Sequence, residues 1–414
     1  MNILLYAPEL TGHPQVYCRN LCDTLTEAGH RVVIAAGTDE RTWCDDWRDL
    51  RPLAANGEVC LVDTRRFSRA CEARLLAGEI VELQKAFNID STLFVEGDYF
   101  EQQFREIAAN RAPRLRGKVA AIFAMTSTWY PCEQPYTGRP EPLWNGGLRG
   151  CMSRCKRSIL NRKETARYFY EKVLARGRVV DAVVVKDERI TERYGPPFFW
   201  MPEIYKVFRP QPEEEDAADW DQFAKPVQEY FSRAGAKNVI LYYGTGTWYK
   251  GYDYFLRLLE LDPSAYGLHL GAPQRSEPKA MSFDTCRLRK ELLEQDRLFE
   301  TRAFVKSDAL TRLAFSMISG FISTHRLIGS SGTVLQALDA GKPVLVPSCG
   351  LIGHRVRTNG LGMVYKHLDD FDLLRAWREF RGVSADRFSD AIENYMKRFS
   401  YEEFSQFFTT LLSC

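Results

Sequence analysis

Lys250 closes a glycine-rich turn, GTGTWYKG, that follows the apolar run NVILYY and precedes a helical pattern. A lysine at a strand-to-helix crossing is a compact point charge suited to a phosphate group. A second such place is SSGTV, where Ser330, Ser331, Gly332 and Thr333 open another helical pattern. The amides and dipole of a helix N-terminus favour an anion, Gly332 allows close backbone approach, and the hydroxyls of Ser331 or Thr333 add donors. A surface lysine and a plain helix N-cap fit the same residues. Glu96 and Asp98 follow the apolar run STLFV, where carboxylates suit ligand contact or proton transfer, or else cap a helix. The adjacent pairs Asp45-Asp46 and Asp369-Asp370 fit solvated faces rather than a metal site. Cys132, Cys151 and Cys155 have no C-x2-C pairing and no histidines nearby, so the reading includes no metal.

Two α/β domains are needed to position these residues. NILLYAP is a continuous apolar run fit for a buried parallel strand. ELTGHP follows as a turn, Val16, Leu21, Leu25 and Ala28 recur at helical spacing, Gly29 ends the helix, and RVVIAA is a second strand. This is a βαβ unit with a right-handed crossover. Strands at 58–62, 91–95, 119–125 and 180–185 alternate with helices at 70–87 and 100–110, giving a doubly wound sheet. Residues 194–212 then hold five prolines, and 213–222 hold six acidic residues without Lys or Arg, which reads as an exposed linker. Beyond it the pattern restarts with NVILYYG, a helix over 252–261, and strands in GLHLGAP, FETRAFV, GFISTH and KPVLVP. The expected domains are 1–198, a hinge and acidic linker at 199–222, 223–398, and a final helix at 399–414 that packs back on the first.

Composition narrows the class. The 414 residues include 56 Lys plus Arg against 54 Asp plus Glu, and 45% are hydrophobic, which excludes a disordered or fibrous chain. The net charge of +2 argues against a nucleic-acid partner, whose domain is usually strongly basic. No apolar run approaches the roughly 18–20 residues needed to span a bilayer, and the opening lacks a charged n-region, so a cytoplasmic location with reduced thiols is expected. One segment departs from the balance: residues 149–178 carry ten Arg or Lys against two Glu. Such a stretch suits peripheral contact with an anionic membrane, or a polyanionic acceptor, as well as a solvated face.

The pieces, in this order, resemble the GT-B glycosyltransferases, and their wording is similar to the family 4 (glycosyl transferases group 1) retaining type. The resemblance runs through ILLYAPELTGHPQVYCRNLCDTLTEAGHRVVIA, VVDAVVVKDERITERYG with WMPEIYKVFRP, and NVILYYGTGTWYKGYDYFLRLLE. It continues through FETRAFVKSDALTRLAFSMISGFIS, SSGTVLQALDAGKPVLVPSCG and NGLGMVYKHLDD, and fails mainly over 40–180. It implies two Rossmann-like domains facing across a cleft. The donor would be a nucleotide-diphosphate sugar serving as substrate, with no further cofactor, and the acceptor is unidentified. It places Gly12 and His13 in the N-terminal glycine loop beside the donor phosphate and acceptor. Lys250 and Ser330–Thr333 would hold the diphosphate, and Gly271, Val305 and Lys306 would line the nucleobase. A front-face, metal-independent reaction on domain closure is implied, in which the leaving phosphate helps deprotonate the acceptor.

Departures from the pattern bear on activity. Relatives carry two glutamates with seven residues between them; here those positions are Ile328 and Gln336. Gln336 can still hydrogen-bond ribose hydroxyls, whereas Ile328 cannot replace a carboxylate. A second cation usually precedes the KG lysine; here Thr245 or Thr247 stands there, with Arg326 or Arg275 as a substitute charge. TSTWYPC after the 119–125 strand offers no catalytic histidine. Two other readings therefore stand beside a transferase: a GT-B binding subunit without activity, and an epimerase-like enzyme acting on nucleotide sugars.

Overall fold

The computed structural model describes residues 1–7, 13–36, 59–63, 73–123, 173–174, 179–206, 215–271, 283–302, 305, 307–326 and 329–413. They form two compact units.

The first unit is a seven-stranded sheet of β1 (Asn2–Ala7), β2 (Arg31–Ala36), β3 (Val59–Asp63), β4 (Ser91–Phe94), β5 (Lys118–Phe123), β6 (Ala182–Val185) and β7 (Phe198–Trp200). All neighbours pair in parallel, in the order β3-β2-β1-β4-β5-β6-β7. The chain moves outward from β1 on one side and from β4 on the other, so the order reverses between these two strands. Helices α1 (His13–Glu27), α2 (Ala73–Ala86), α3 (Glu101–Ala108) and α4 (Glu188–Tyr194) accompany it. Both faces are covered, which is why the strands read as unbroken apolar runs. In β1, Ile3, Leu5 and Ala7 enter the core on the α1 face, while Leu4 and Tyr6 enter the core under α2 and α3. That alternation is the two-residue period of a strand.

The second unit holds α5 (Glu215–Ala234) and two three-stranded parallel sheets. One orders β10-β9-β8, from β8 (Val239–Tyr243), β9 (Tyr266–Leu270) and β10 (Leu298–Glu300). The other orders β11-β12-β13, from β11 (Phe321–Ile322), β12 (Val344–Pro347) and β13 (Gly362–Tyr365). Between and after the strands run α6 (Tyr252–Leu261), α7 (Phe283–Glu294), α8 (Asp308–Met317), α9 (Gly332–Asp339), α10 (Gly350–Asn359), α11 (Asp370–Phe380) and α12 (Asp386–Met396). Its core gathers Tyr252, Phe255 and Leu256 of α6 with Leu345 of β12 and Trp377 of α11.

The acidic stretch read as linker differs in the structure. It leads into α5, which opens on Glu215, and the stretch 199–222 begins inside β7. Carboxylates are favoured in the first turn of a helix, where they meet the positive end of its dipole, so a run of acids marks a helix start as readily as a linker. From Phe399 the chain belongs to the first unit, and α13 (Tyr401–Ser413) adds Phe404, Phe408 and Leu412 to the α1-side core. Burying each such phenylalanine contributes about 1.5–3 kcal/mol. No described helix is long and apolar enough to cross a membrane.

Candidate functional site

In the second unit the candidate residues gather at the carboxyl ends of parallel strands, where open α/β sheets bind ligands. The turn from β8 to α6 and the segment after β11 are locked together. Arg326 donates its backbone N–H to the Tyr249 carbonyl at 2.8 Å, and the Thr324 hydroxyl donates to the Lys250 carbonyl at 3.2 Å. Gly251 has a left-handed φ of 69°, and a Cβ there would stand 1.9 Å from the Thr324 carbonyl oxygen, so only glycine permits this approach.

Lys250 folds back over its own turn, with its ammonium 3.0 Å from where a Cβ on Gly244 would stand. Burial alone pushes it below the usual lysine range, and among the described residues no carboxylate pairs with it. Beside it His325 is held neutral, lowered to about 3 by burial and by the Lys250 charge, with Nδ1 2.7 Å from the Ser323 hydroxyl. Thr247 is buried, and its hydroxyl has no hydrogen-bond partner among the described residues. Thr245 is half-buried in the same turn. Ser331 is the N-cap of α9 and accepts from the Val334 N–H at 3.4 Å; its hydroxyl also lies 2.9 Å from that of Thr333. Ser330 is half-buried just before it, and Gly332 is the first helical residue. One turn on, Gln336 is half-buried, with a side-chain carbonyl that finds no partner.

The ends of β9 and β10 complete this edge. Gly271 has a φ of 154° and lies so close to β8 that a Cβ would stand 2.2 Å from the Gly244 carbonyl oxygen. Its N–H donates to the Thr301 hydroxyl at 2.9 Å, and Val305 is buried nearby in sequence. Beneath them His269 bridges the strands, its Nε2 2.9 Å from the Gly244 carbonyl and its Nδ1 3.0 Å from Glu300. Burial works against the Glu300 charge, but His269, Arg289 and Tyr252 outweigh it and lower the carboxyl to about 2.

Arg326, expected as a substitute charge beside the Lys250 turn, is engaged by neighbours of its own. Its guanidinium pairs with Asp253 of α6 and lies over the Trp248 and Tyr254 rings, 4.9 and 4.3 Å from their centroids. An arginine paired and stacked in this way is held by its partners.

In the first unit Glu96 precedes a single 3-10 turn, Gly97–Phe100, as its N-cap residue, yet its side chain makes no capping hydrogen bond. Asp98 lies within that turn and is half-buried. Sequence reasoning missed the group next to Glu96. Lys186 directly follows β6, is 6% exposed, and places its ammonium 5.1 Å from the centroid of the Tyr17 ring in α1. Burial opposes its charge, but Tyr17, Glu203 and Glu96 outweigh this and raise it above the usual lysine range. Burial and Glu96 push the neighbouring Cys18 thiol up to about 12. Glu203, just past β7, is 2% exposed, whereas Glu96 is half-buried.

Gly12, Lys306, Ile328, Arg275, Cys132, Cys151, Cys155, the TSTWYPC segment and all but two residues of the basic stretch 149–178 lie outside the described residues. His13 begins α1, and its side chain is likewise outside them.

No family model and no curated protein matches this sequence. Solved structures do resemble it. Sucrose-phosphate synthase from Thermosynechococcus elongatus aligns over 99% of this chain and 98% of its own at 13% identity, with a TM-score of 0.64. HepE from Anabaena, in complex with UDP and glucose, aligns over 100% and 99% at 14% identity, with a TM-score of 0.61. UDP-GlcNAc 2-epimerase from Neisseria meningitidis, bound to UDP-GlcNAc, aligns over 100% and 99% at 11% identity, with a TM-score of 0.51. What these proteins share with this chain is architecture: it has the GT-B fold, with two Rossmann-like α/β domains.

Proposed function

We propose that the protein is a glycosyltransferase that moves a sugar from a nucleoside-diphosphate donor to an acceptor hydroxyl. The observation that carries this is Lys250. A half-buried ammonium with no carboxylate partner among the described residues, fixed beside the segment that leads to the α9 N-terminus, is set up for an anion. In this reading Lys250, Ser331, Thr333 and the α9 amides hold the diphosphate, with the Thr247 hydroxyl as a further donor. Gln336 takes the place of a ribose-binding carboxylate. Gly271, Val305 and Lys306 line the base, while Gly12, His13, Glu96 and Asp98 serve the acceptor side. The bond from the anomeric carbon to the diphosphate breaks as the acceptor oxygen bonds to that carbon. The electron pair leaves on the diphosphate, whose oxygen takes the acceptor proton, and configuration is retained. The charge that develops on the leaving diphosphate is stabilised by Lys250 and the helix amides. The reaction needs no metal, the sugar is a hexose, and the enzyme works in the cytoplasm, with residues 149–178 meeting an anionic membrane surface.

The fold also accommodates nucleotide-sugar epimerisation, as the likeness to the 2-epimerase illustrates. The loss of paired carboxylates at Ile328 and Gln336 suits a binding subunit instead. Thermal shift with UDP, GDP, ADP and CDP, then incubation with the matching glucose conjugates, separates these readings. A transferase is stabilised by one nucleotide and releases free sugar slowly to water. Stabilisation by none of the four excludes a nucleotide-sugar enzyme. Lys250→Ala is expected to weaken the nucleotide about 100-fold, in keeping with loss of charge-assisted hydrogen bonds, while the melting point of the free protein stays in place.

A further inference from the structure

Under the Lys250 turn lies a histidine whose surroundings define its protons. The His269 side chain is fully buried in β9, and each ring nitrogen faces an oxygen: Nε2 is 2.9 Å from the Gly244 carbonyl and Nδ1 is 3.0 Å from Glu300. A carbonyl can only accept a hydrogen bond, and so can an ionised carboxylate. Glu300 is ionised. One of its oxygens accepts from the Arg289 Nε at 2.9 Å, the Tyr252 hydroxyl donates to the other, and the carboxyl is lowered to about 2 although burial opposes its charge. The Tyr242 and Tyr252 rings flank the imidazole, with centroids 5.1 and 5.0 Å away, and their hydroxyls bond elsewhere, to the Thr245 carbonyl and to Glu300. A neutral imidazole would therefore turn a lone pair toward one of two buried acceptors and leave that acceptor short of a donor.

The Nε2 contact holds the turn that carries Lys250. Gly244 directly follows β8 with a left-handed φ of 100°, and its N–H donates to the Leu270 carbonyl at 2.9 Å, so both of its backbone polar groups are tied to β9. A Cβ on Gly271 would stand 3.0 Å from the His269 Nε2 and 2.2 Å from the Gly244 oxygen, so glycine there leaves room for the contact. The Lys250 ammonium in turn stands 3.0 Å from where a Cβ on Gly244 would be.

We propose that His269 carries a proton on both ring nitrogens and, as an imidazolium anchored by Glu300, is the positioning residue of the Lys250 turn, holding the Gly244 carbonyl so that the ammonium meets the donor diphosphate. The link to the donor rests on the transferase reading above, whereas the hold on Gly244 is a property of the free protein. A hydrogen bond from a charged donor secures its acceptor by roughly 10–100-fold over an unmade one, which is enough to keep the turn in one place before any ligand arrives.

The test uses the full chain, free of nucleotide and labelled with heavy nitrogen. Proton–nitrogen correlation of the imidazole rings at neutral pH is expected to show both His269 nitrogens protonated, the signal being assigned by its loss in His269→Phe or its displacement in Glu300→Gln. One unprotonated ring nitrogen overturns the proposal. Hydrogen exchange reads the hold on the turn. In His269→Phe, which keeps a planar ring beside Tyr242 and Tyr252, the Gly244 and Tyr252 amides, donors to Leu270 at 2.9 Å and Thr247 at 3.2 Å, are expected to exchange about 10–100-fold faster. The Val344 amide, which donates to the Leu361 carbonyl at 3.1 Å in the other sheet, is expected to stay within about threefold. Equal acceleration at all three amides overturns the positioning role by making His269 merely structural, and so does an unchanged Gly244. If His269→Phe does not fold, the unsubstituted protein decides: its Nε2 proton is expected to exchange with water as slowly as the Gly244 amide, and fast exchange beside a protected Gly244 overturns the hold. Where one of UDP, GDP, ADP and CDP stabilises the unsubstituted protein, its Kd is expected to rise about tenfold or more in His269→Phe, and a Kd within about twofold overturns the link to the donor. If none of the four binds, the transferase reading falls and takes that link with it, while the proton and exchange measurements still decide the state of His269 and its hold on Gly244.

Discussion

Each unit holds a lysine beyond the carboxyl ends of its parallel strands, Lys186 buried and Lys250 half-buried, and the two ammonium groups are pushed in opposite directions. Lys250 in the second unit is lowered, because burial acts on it alone. Lys186 in the first unit is raised, because Tyr17, Glu203 and Glu96 outweigh burial. The same residue type thus stands in opposite electrostatic surroundings in the two units. An uncompensated cation is a site that awaits an anion. A compensated cation is internal structure that sets the charge and place of its partners.

The sharpest way to break this comparison is to make one substitution at both positions. Lys186→Met removes a buried ammonium whose charge its surroundings favour and is expected to cost about 3–5 kcal/mol, whereas Lys250→Met removes a charge that its surroundings disfavour and leaves stability unchanged or slightly higher. Urea unfolding of the nucleotide-free protein measures both, and equal costs would erase the distinction.

Next in size is Glu300, whose side chain is fully buried under the second edge. Its folded carboxyl is lowered to about 2, so its stabilisation is complete above the unfolded carboxyl range and is lost as pH falls through the folded value. Glu300→Gln should remove about 3 kcal/mol at neutral pH, and the loss should vanish near pH 2. A loss that persists there would point to packing rather than charge.

The smallest effect is in nucleotide binding. A bound diphosphate favours the ammonium form of Lys250, whose proton is held less tightly than usual in the free protein. Affinity should therefore decline as pH rises through a range below that of an ordinary lysine, with proton uptake on binding. Calorimetry in buffers of different ionisation enthalpy detects that uptake. A flat affinity up to the ordinary lysine range would mean that Lys250 does not touch the diphosphate.

The sequence made some of this legible and hid the rest for physical reasons. The doubly buried strands announce themselves as apolar runs, and α6 occupies Tyr252–Leu261, the same span its periodicity predicts. Glycine turns and the Ser331 cap are local signals, so these strand-to-helix turns could be read from short segments. Lys186 could not be read this way: its partners lie on α1, after β4 and after β7, and nothing in VVVKDE tells a buried lysine from a solvated one. A charged residue directly after four buried strand positions was the available hint. Arg326 reads as a spare cation in the sequence, and its contacts with Asp253, Trp248 and Tyr254 are equally invisible there. The acidic run before α5 misled because carboxylates mark helix starts as well as loops.

The return of the chain at Phe399 has a consequence for synthesis. The second unit's described elements, α5 to α12, lie between residues 215 and 396, an uninterrupted stretch that can fold as it leaves the ribosome. The first unit, although made earlier, lacks Phe404, Phe408 and Leu412 of its α1-side core until that whole stretch has passed. At about 5–20 residues per second the older unit waits many seconds with an apolar face uncovered, so the order of synthesis and the order of completion are reversed.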